Sequence, residues 1–147
     1  MTHDEYSSPR SKIMSSIKSK NTKPELIVRQ RLHALGFRYI LHDKRLPGKP
    51  DIVLPRYKAV IQIQGCFWHG HDSCYLFKWP KSRPEFWYEK INKNITRDKA
   101  NQEKLLELGW RVLIWWECNI RNSQDFEIGL METVEWIKGN QSYMEIR

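Results

Sequence analysis

Apolar positions along the chain fall into two periods. Val28, Leu32 and Leu35 recur at helical spacing and predict a helix. Its start is marked by Thr22-Lys23-Pro24-Glu25, with Thr at the N-cap, Pro in the first turn and Glu at N3 as a capping box, and Gly36 marks its end. The box gives Glu25 a structural reason to be there. Phe37 to Leu41 reads as a strand, and Leu46-Pro-Gly-Lys-Pro-Asp51 as a turn in which Pro50 pushes Lys49 towards extended geometry. Ile52 to Leu54 is a second strand, Pro55 to Lys58 a turn, and Ala59 to Gln64 a third strand. There Ile61 and Ile63 alternate with Gln62 and Gln64, so both glutamines share one face, and Asp51 heads the neighbouring strand of the same hairpin.

Ser82-Arg83-Pro84-Glu85 repeats the capping-box pattern and predicts a long helix to Leu108, stopped by Gly109. Trp110 to Glu117 is apolar enough for a central strand. A final helix runs from Gln124 to Ile137 with Phe126, Leu130, Val134 and Ile137 on one face. No internal repeat interrupts this order. A chain of 147 residues predicts one domain, 23–147, after a basic arm, 1–22, rich in Lys, Arg and Ser.

Charge narrows the class of partner. The net charge of +8 favours a polyanion, nucleic acid ahead of membrane. No apolar run reaches the roughly 18 residues of a spanning helix, the start MTHDEYSSPRSK has no signal-peptide core, and three cysteines cannot pair off as disulfides. A cytoplasmic protein is expected. Seven tryptophans exceed what such a core needs, and stacking on bases is one use for the surplus. In the long helix Lys90, Lys93, Asn94 and Arg97 recur at i, i+3, i+4 and i+7, which predicts a basic face without interleaved acid for phosphate contact.

The densest chemistry is GCFWHGHDSC, Gly65 to Cys74. Cys66, His71 and Cys74, spaced C-x4-H-x2-C, suit a tetrahedral zinc ion, with Cys118 beyond the fourth strand as the remaining ligand. Three buried free thiols are the plainer alternative. His69 is left over, a candidate acid or base, an alternative zinc ligand or a surface histidine; a turn at Gly70 would part it from His71. Pro50-Asp51 followed by Gln62-Ile63-Gln64 is a degenerate PD-(D/E)xK pattern, in which acids on a bent hairpin hold Mg²⁺; a capping Asp and two solvent-facing glutamines is the alternative.

RSKIMSSIKSKNT-PE, LPGKPDIV, GCFWHGH, Glu85-Phe-Trp, Lys90-Ile-Asn-Lys-Asn, Arg97-Asp98 and Leu108-Gly-Trp-Arg-Val-Leu together resemble the very short patch repair endonucleases. The similarity runs in order from Arg10 to Cys118. It implies an α/β, restriction-endonuclease-like PD-(D/E)xK core with a structural zinc, and a Mg²⁺-dependent enzyme that nicks beside the T of T:G mismatches left by 5-methylcytosine deamination. By resemblance Asp51 and the backbone carbonyl of Ile63 bind Mg²⁺, His69 activates water, and Glu25 reaches the metal-water cluster. Phe67, Trp68 and Trp87 intercalate, Met14 wedges from the other groove, and Cys66, His71, Cys74 and Cys118 match the zinc set.

Two departures qualify the match. Gln64 stands where the best-known members carry a catalytic His, and the loop between His71 and Cys74 is one residue longer. The expected partners are mismatched double-stranded DNA and a MutL-type mismatch repair protein, for a nucleoid-associated monomer without a membrane. Two other readings stay open: a zinc-stabilised DNA binder without nuclease activity, and a restriction enzyme on the same core.

Overall fold

The structure, a computed structural model, describes residues 21–147. Met14 and the rest of the basic arm before residue 21 lie outside the described residues. The elements are α1 (Lys23–Ala34), β1 (Ile40–Leu41), β2 (Ile52–Leu54), a short 3-10 turn (Pro55–Tyr57), β3 (Ala59–Gln64), α2 (Pro84–Glu107), β4 (Arg111–Trp116), α3 (Glu117–Ile120), α4 (Ser123–Lys138) and β5 (Tyr143–Ile146). The five strands form one mixed sheet in the order β1-β2-β3-β4-β5. β1, β2 and β3 pair antiparallel, whereas β3, β4 and β5 pair parallel. Helices flank the sheet on both faces, as parallel strands require.

α1 and α4 cover one face. Val28 and Leu32 from α1 and Phe126, Leu130 and Ile137 from α4 pack on Ile52, Leu54, Ile61, Leu113 and Trp115. The opposite face, with Val53, Val60, Val112, Ile114 and Trp116, is closed by Leu105 of α2 and by Cys66 in the loop after β3. That loop, residues 65–83, contains no helix or strand, so its shape depends on tertiary contacts.

Several boundaries differ from the sequence expectation. Phe37 does not open a strand: its N–H bonds the Leu32 carbonyl at 3.0 Å while Gly36 N–H bonds His33 at 3.0 Å. This pair of hydrogen bonds closes α1 through a glycine at φ +97°, and the chain reaches β1 only at Ile40. The same closure at Gly109 binds Trp110 N–H to the Leu105 carbonyl, so β4 begins at Arg111. Ser82 does not cap α2; the N-cap is Arg83 at φ +54°, with its guanidinium over the Phe86 ring at 4.4 Å. β5 was not expected. Its end folds back on the cysteine-rich loop, where Arg147 donates to the Asp72 carbonyl at 2.7 Å.

The turn at Gly70 is required. Its φ is +57°, and a Cβ there would lie 2.7 Å from Ile91 Cγ2 and 2.8 Å from Ile95 Cδ1, both on α2. Gly70→Ala therefore meets a conformational penalty and a clash together, and is expected to destabilise the fold by roughly 1 to 3 kcal/mol. Equilibrium denaturation checks this; an unchanged midpoint would show that the loop can leave α2 without cost.

Candidate active site and metal centre

Two side-chain clusters lie along the loop that follows β3. In the first, Cys66, His71, Cys74 and Cys118 bring one ligand atom each to within 4.8 Å of one another. His71 Nδ1 is 3.7 Å from Cys118 Sγ. A tetrahedral site with metal–sulfur bonds of about 2.3 Å and metal–nitrogen bonds of about 2.0 Å spaces its ligand atoms about 3.5 to 3.8 Å apart, so the set fits an ion. Backbone N–H groups point at the sulfurs, Cys118 N to Cys66 Sγ at 3.3 Å and Leu76 N to Cys74 Sγ at 3.5 Å, which favours thiolate.

Without a cation, burial pushes the Cys66 and Cys118 thiols up, and burial with the nearby Arg147 charge pushes His71 down. His71 is therefore disposed to be a neutral ligand, while the thiols need a positive ion to ionise. The His71 ring stacks on Trp116 at 3.8 Å and an interplanar angle of 4°, and its Nε2 is buried with no hydrogen-bond partner among the described residues.

The second cluster lies at the β2–β3 hairpin. Asp51 precedes β2, and its Oδ2 accepts from Ile63 N–H at 2.8 Å, which holds the carboxylate against β3 next to the Ile63 backbone. Gln62 is half-buried and bonded to the hairpin: its Oε1 accepts from Asp51 N–H at 3.3 Å and its Nε2 donates to the Gly48 carbonyl at 3.5 Å. Gln64 is buried. Glu25, 2% exposed, completes its helix cap with an offset, accepting from Asn21 N–H at 3.2 Å rather than from the N-cap amide. Its other oxygen accepts from Arg29 at 3.0 Å and lies 2.7 Å from His42 Nε2. One carboxylate thus serves the helix end and the site. Glu25, His42 and Asp51 converge to within 4.8 Å, a second set able to hold a cation.

A cavity of about 1270 Å³ opens beside Asp51 and His42 of the second cluster. Asp51, Ile63, Gln64, Phe67, Trp68, His69, Trp87, Lys90, Asn94 and Arg97 line it, together with His42 and Asp98. Gly70 sends His69 to this cavity and His71 to the cysteines. His69 Nδ1 lies 2.5 Å from Asp98 Oδ2, so the carboxylate orients the ring and leaves Nε2 as the nitrogen able to take a proton. Phe67, Trp68 and Trp87 form one aromatic group with centroids 5.2 to 5.8 Å apart. Trp68 is partly exposed and its carbonyl accepts from Asn94 at 2.8 Å, whereas Trp87 is only 4% exposed.

The basic face is less uniform than its spacing suggested. Lys93 does not line this cavity; it pairs with Glu89 at 3.6 Å and borders a separate groove with Trp79 and Tyr88. Asp98 follows Arg97 directly, so acid does interleave with the basic positions. Two residues escaped the sequence reading. Asp98 was detectable, one turn after Asn94 on the same helix face. His42 was not: only the hairpin register, in which His42 N–H bonds the Asp51 carbonyl at 3.0 Å, brings it to the acids.

Burial, with the Glu25 charge nearby, raises Asp51 from the ordinary 3.8 to about 7, against the lowering effect of the Ile63 N–H bond. The folded chain thus keeps a proton that the unfolded chain gives up. Its stabilising contribution is complete below about pH 4 and is lost as pH rises through about 7. In metal-free buffer the stability of Asp51→Asn is therefore expected to fall less than that of the unmutated protein over this window, by on the order of a few kcal/mol. Denaturant melts at several pH values measure it, and parallel slopes would contradict the buried, proton-retaining carboxyl.

Residues 3–76 match the sequence profile of the family described as DNA mismatch endonuclease Vsr. The chain is 45% identical over 139 residues to the DNA mismatch endonuclease Vsr of Escherichia coli K12, covering 93% of this chain and 88% of that protein. It is 51% identical over 122 residues, 83% of this chain and 86% of the relative, to the type II nicking enzyme V.NmeAIP of Neisseria meningitidis serogroup A. It is 42% identical over 123 residues, 84% and 90% of the two chains, to the type II nicking enzyme V.XorIIP of Xanthomonas oryzae pv. oryzae. The chain belongs to the DNA mismatch endonuclease Vsr family, whose members are DNA-cleaving hydrolases.

Proposed function

We propose that the protein is a strand-specific endonuclease that nicks double-stranded DNA beside the T of a T:G mismatch arising from 5-methylcytosine deamination, and so starts very short patch repair. The observation that carries this reading is a single cavity whose walls hold the Asp51 cluster, the His69–Asp98 pair and the Phe67–Trp68 aromatic group. The β2–β3 hairpin, α2 and β4 act as a PD-(D/E)xK core in which Gln62 and Gln64 replace the usual side chains. Asp51 and the Ile63 carbonyl would hold a catalytic Mg²⁺, which would supply positive charge at the scissile phosphate. His69 Nε2 takes the proton of the attacking water while Asp98 steadies the ring. Glu25 supports this cluster, and Gln64 fills a buried position without offering a base.

Recognition follows from the rings. A T:G wobble is cheaper to unstack than a matched pair, and an inserted aromatic recovers roughly 1 to 3 kcal/mol per stacked base. Trp68 and Phe67 are the partly exposed wedge, backed by Trp87, with Met14 from the basic arm on the other groove. Lys90, Asn94 and Arg97 approach phosphates from the cavity wall, and Lys93 adds charge outside it. The proposal extends to a monomeric cytoplasmic enzyme with residues 23–147 as one domain and a MutL-type protein as a further partner. No helix among the described residues is long and apolar enough to cross a membrane.

Duplexes that differ only in T:G or C:G, incubated with Mg²⁺, test the assignment. Nicking of the T strand alone is expected; cutting of both duplexes would indicate a restriction enzyme, and binding without cleavage a DNA binder. Asp51→Ala is expected to lower nicking by about 10³-fold, the effect of about 4 kcal/mol, with mismatch binding little changed. Trp68→Ala is expected to weaken T:G nicking by about tenfold while matched-duplex binding holds.

We assign the Cys66-His71-Cys74-Cys118 set to structural zinc on its thiolate-rich donors. Elemental analysis is expected to give one zinc per chain, and Cys118→Ser to lose it and lower Tm by about 10 °C or more. Zinc-free protein with an unchanged Tm would overturn the assignment.

A further inference from the structure

We propose that His42 is a third protein ligand of the catalytic cation, and that its imidazole biases the site towards manganese over magnesium. This rests on the reading of Asp51 as a metal ligand and deepens it. His42 and Asp51 stand at opposite ends of the β1–β2 connection, His42 in no motif, and its Nε2 sits 2.7 Å from Glu25 Oε2 and 4.0 Å from Asp51 Oδ1. Around an ion with bonds near 2.1 to 2.2 Å, neighbouring ligand atoms are about 3 Å apart and opposite ones about 4.3 Å. The 2.7 Å and 4.0 Å separations lie near that range, and all three ligand atoms are within 4.8 Å of one another.

The direction of the imidazole is the more telling feature. His42 Nε2 is buried and has no hydrogen bond among the described residues, although a carboxylate oxygen lies within 2.7 Å. The oxygen is therefore beside the N–H axis rather than on it, as one ligand stands beside another when both aim at a common point. The Glu25 oxygen already accepts from Arg29 at 3.0 Å, so the local set is two carboxylates, one guanidinium and one imidazole. With a DNA phosphate added, a divalent cation is needed to balance the charge. Backbone geometry fixes the ring's approach: His42 N–H bonds the Asp51 carbonyl at 3.0 Å, and the residue is held at φ +48°.

The consequence is chemical selectivity. Magnesium takes oxygen ligands and tolerates nitrogen poorly, whereas manganese and later divalent ions accept imidazole. The zinc-loaded protein, free of other metals, would be titrated with Mn²⁺ by electron paramagnetic resonance, with Mg²⁺ affinity taken from competition. Tighter binding of Mn²⁺ than Mg²⁺ by about tenfold is expected, together with an electron spin-echo modulation from directly bound ¹⁴N. His42→Gln and His42→Asn are expected to lose that modulation and about tenfold in Mn²⁺ affinity, while Mg²⁺ affinity moves by less than about threefold.

Modulation that persists in both variants, or equal losses for both ions, would overturn the role of His42. So would the lack of a bound nitrogen in the unmutated protein, which can be read even if a variant fails to fold. Asp51→Ala separates the two levels: it should abolish uptake of both ions. If it does, and the His42 variants behave as the unmutated protein, the Asp51 site stands and the His42 inference fails. If Asp51→Ala binds Mn²⁺ normally, the reading of the site itself fails.

Discussion

The parallel pairing of β3 with β4 is the constraint on which the rest depends. Ala59 to Gln64 run in register with Arg111 to Trp116, so the chain leaves the sheet at neighbouring points, Gly65 after one strand and Glu117 after the other. Cys66 and Cys118 follow at once, and Cys118 N–H reaches Cys66 Sγ at 3.3 Å. Residues 65–83 contain no helix or strand to hold them. Their order comes from the cysteine cluster at one side, from Ile91 and Ile95 of α2 against Gly70 at another, and from Arg147 at the Asp72 carbonyl. A strand slip by one residue would separate the two cysteines and release the loop that carries Phe67, Trp68 and His69.

The active-site cluster has a different energetic character. It places Asp51 on the antiparallel side of β3, where desolvation and the nearby Glu25 charge drive its carboxyl up to about 7. Arg29 relieves Glu25 but is not bonded to Asp51. Burial of this kind costs stability in the absence of a cation and is recovered when one binds, which is the usual relation between a preorganised polar site and its ligand. The cysteine cluster differs in that uncharged thiols are tolerable in an apolar setting, so burial alone costs it less than it costs the carboxylates.

Much of this was legible in the chain itself, for identifiable reasons. Helices and strands with strong periodicity were placed to within a few residues, and the C-x4-H-x2-C spacing with Cys118 anticipated the cluster the structure brings together. Errors collected where local and tertiary signals compete. Phe37 and Trp110 look like strand residues by composition, but glycine caps draw both into helix ends. β5 lies at the sheet edge, and its four residues, Tyr143 to Ile146, carry too short a pattern to separate from a tail. His42 became visible only through hairpin register, since its neighbour in sequence, Asp43, pairs with Arg45 and the acids it meets, Glu25 and Asp51, lie elsewhere in the chain. Lys93 shares a helical period with Lys90 and Arg97, but periodicity cannot see that Glu89 holds it on another groove.

The order of residues in the loop bears on how specificity could arise. Phe67, Trp68 and His69 are consecutive, and Asn94 and Asp98 of α2 tie Trp68 and His69 one turn apart on the same helix. Under the proposed function the wedge and the base therefore move as one body. A duplex that resists unstacking keeps the wedge out and, through the same rigid connection, holds its phosphate away from His69 and Asp51. Basic side chains would still bind such a duplex, since phosphate contacts carry no sequence information. Discrimination would then appear in the rate of nicking more than in affinity, because the stacking energy is realised only in the geometry that also aligns the chemistry. The buried Trp87 fits that arrangement: as a fixed wall behind the wedge it limits recoil, so energy gained by stacking is not lost in rearranging the loop.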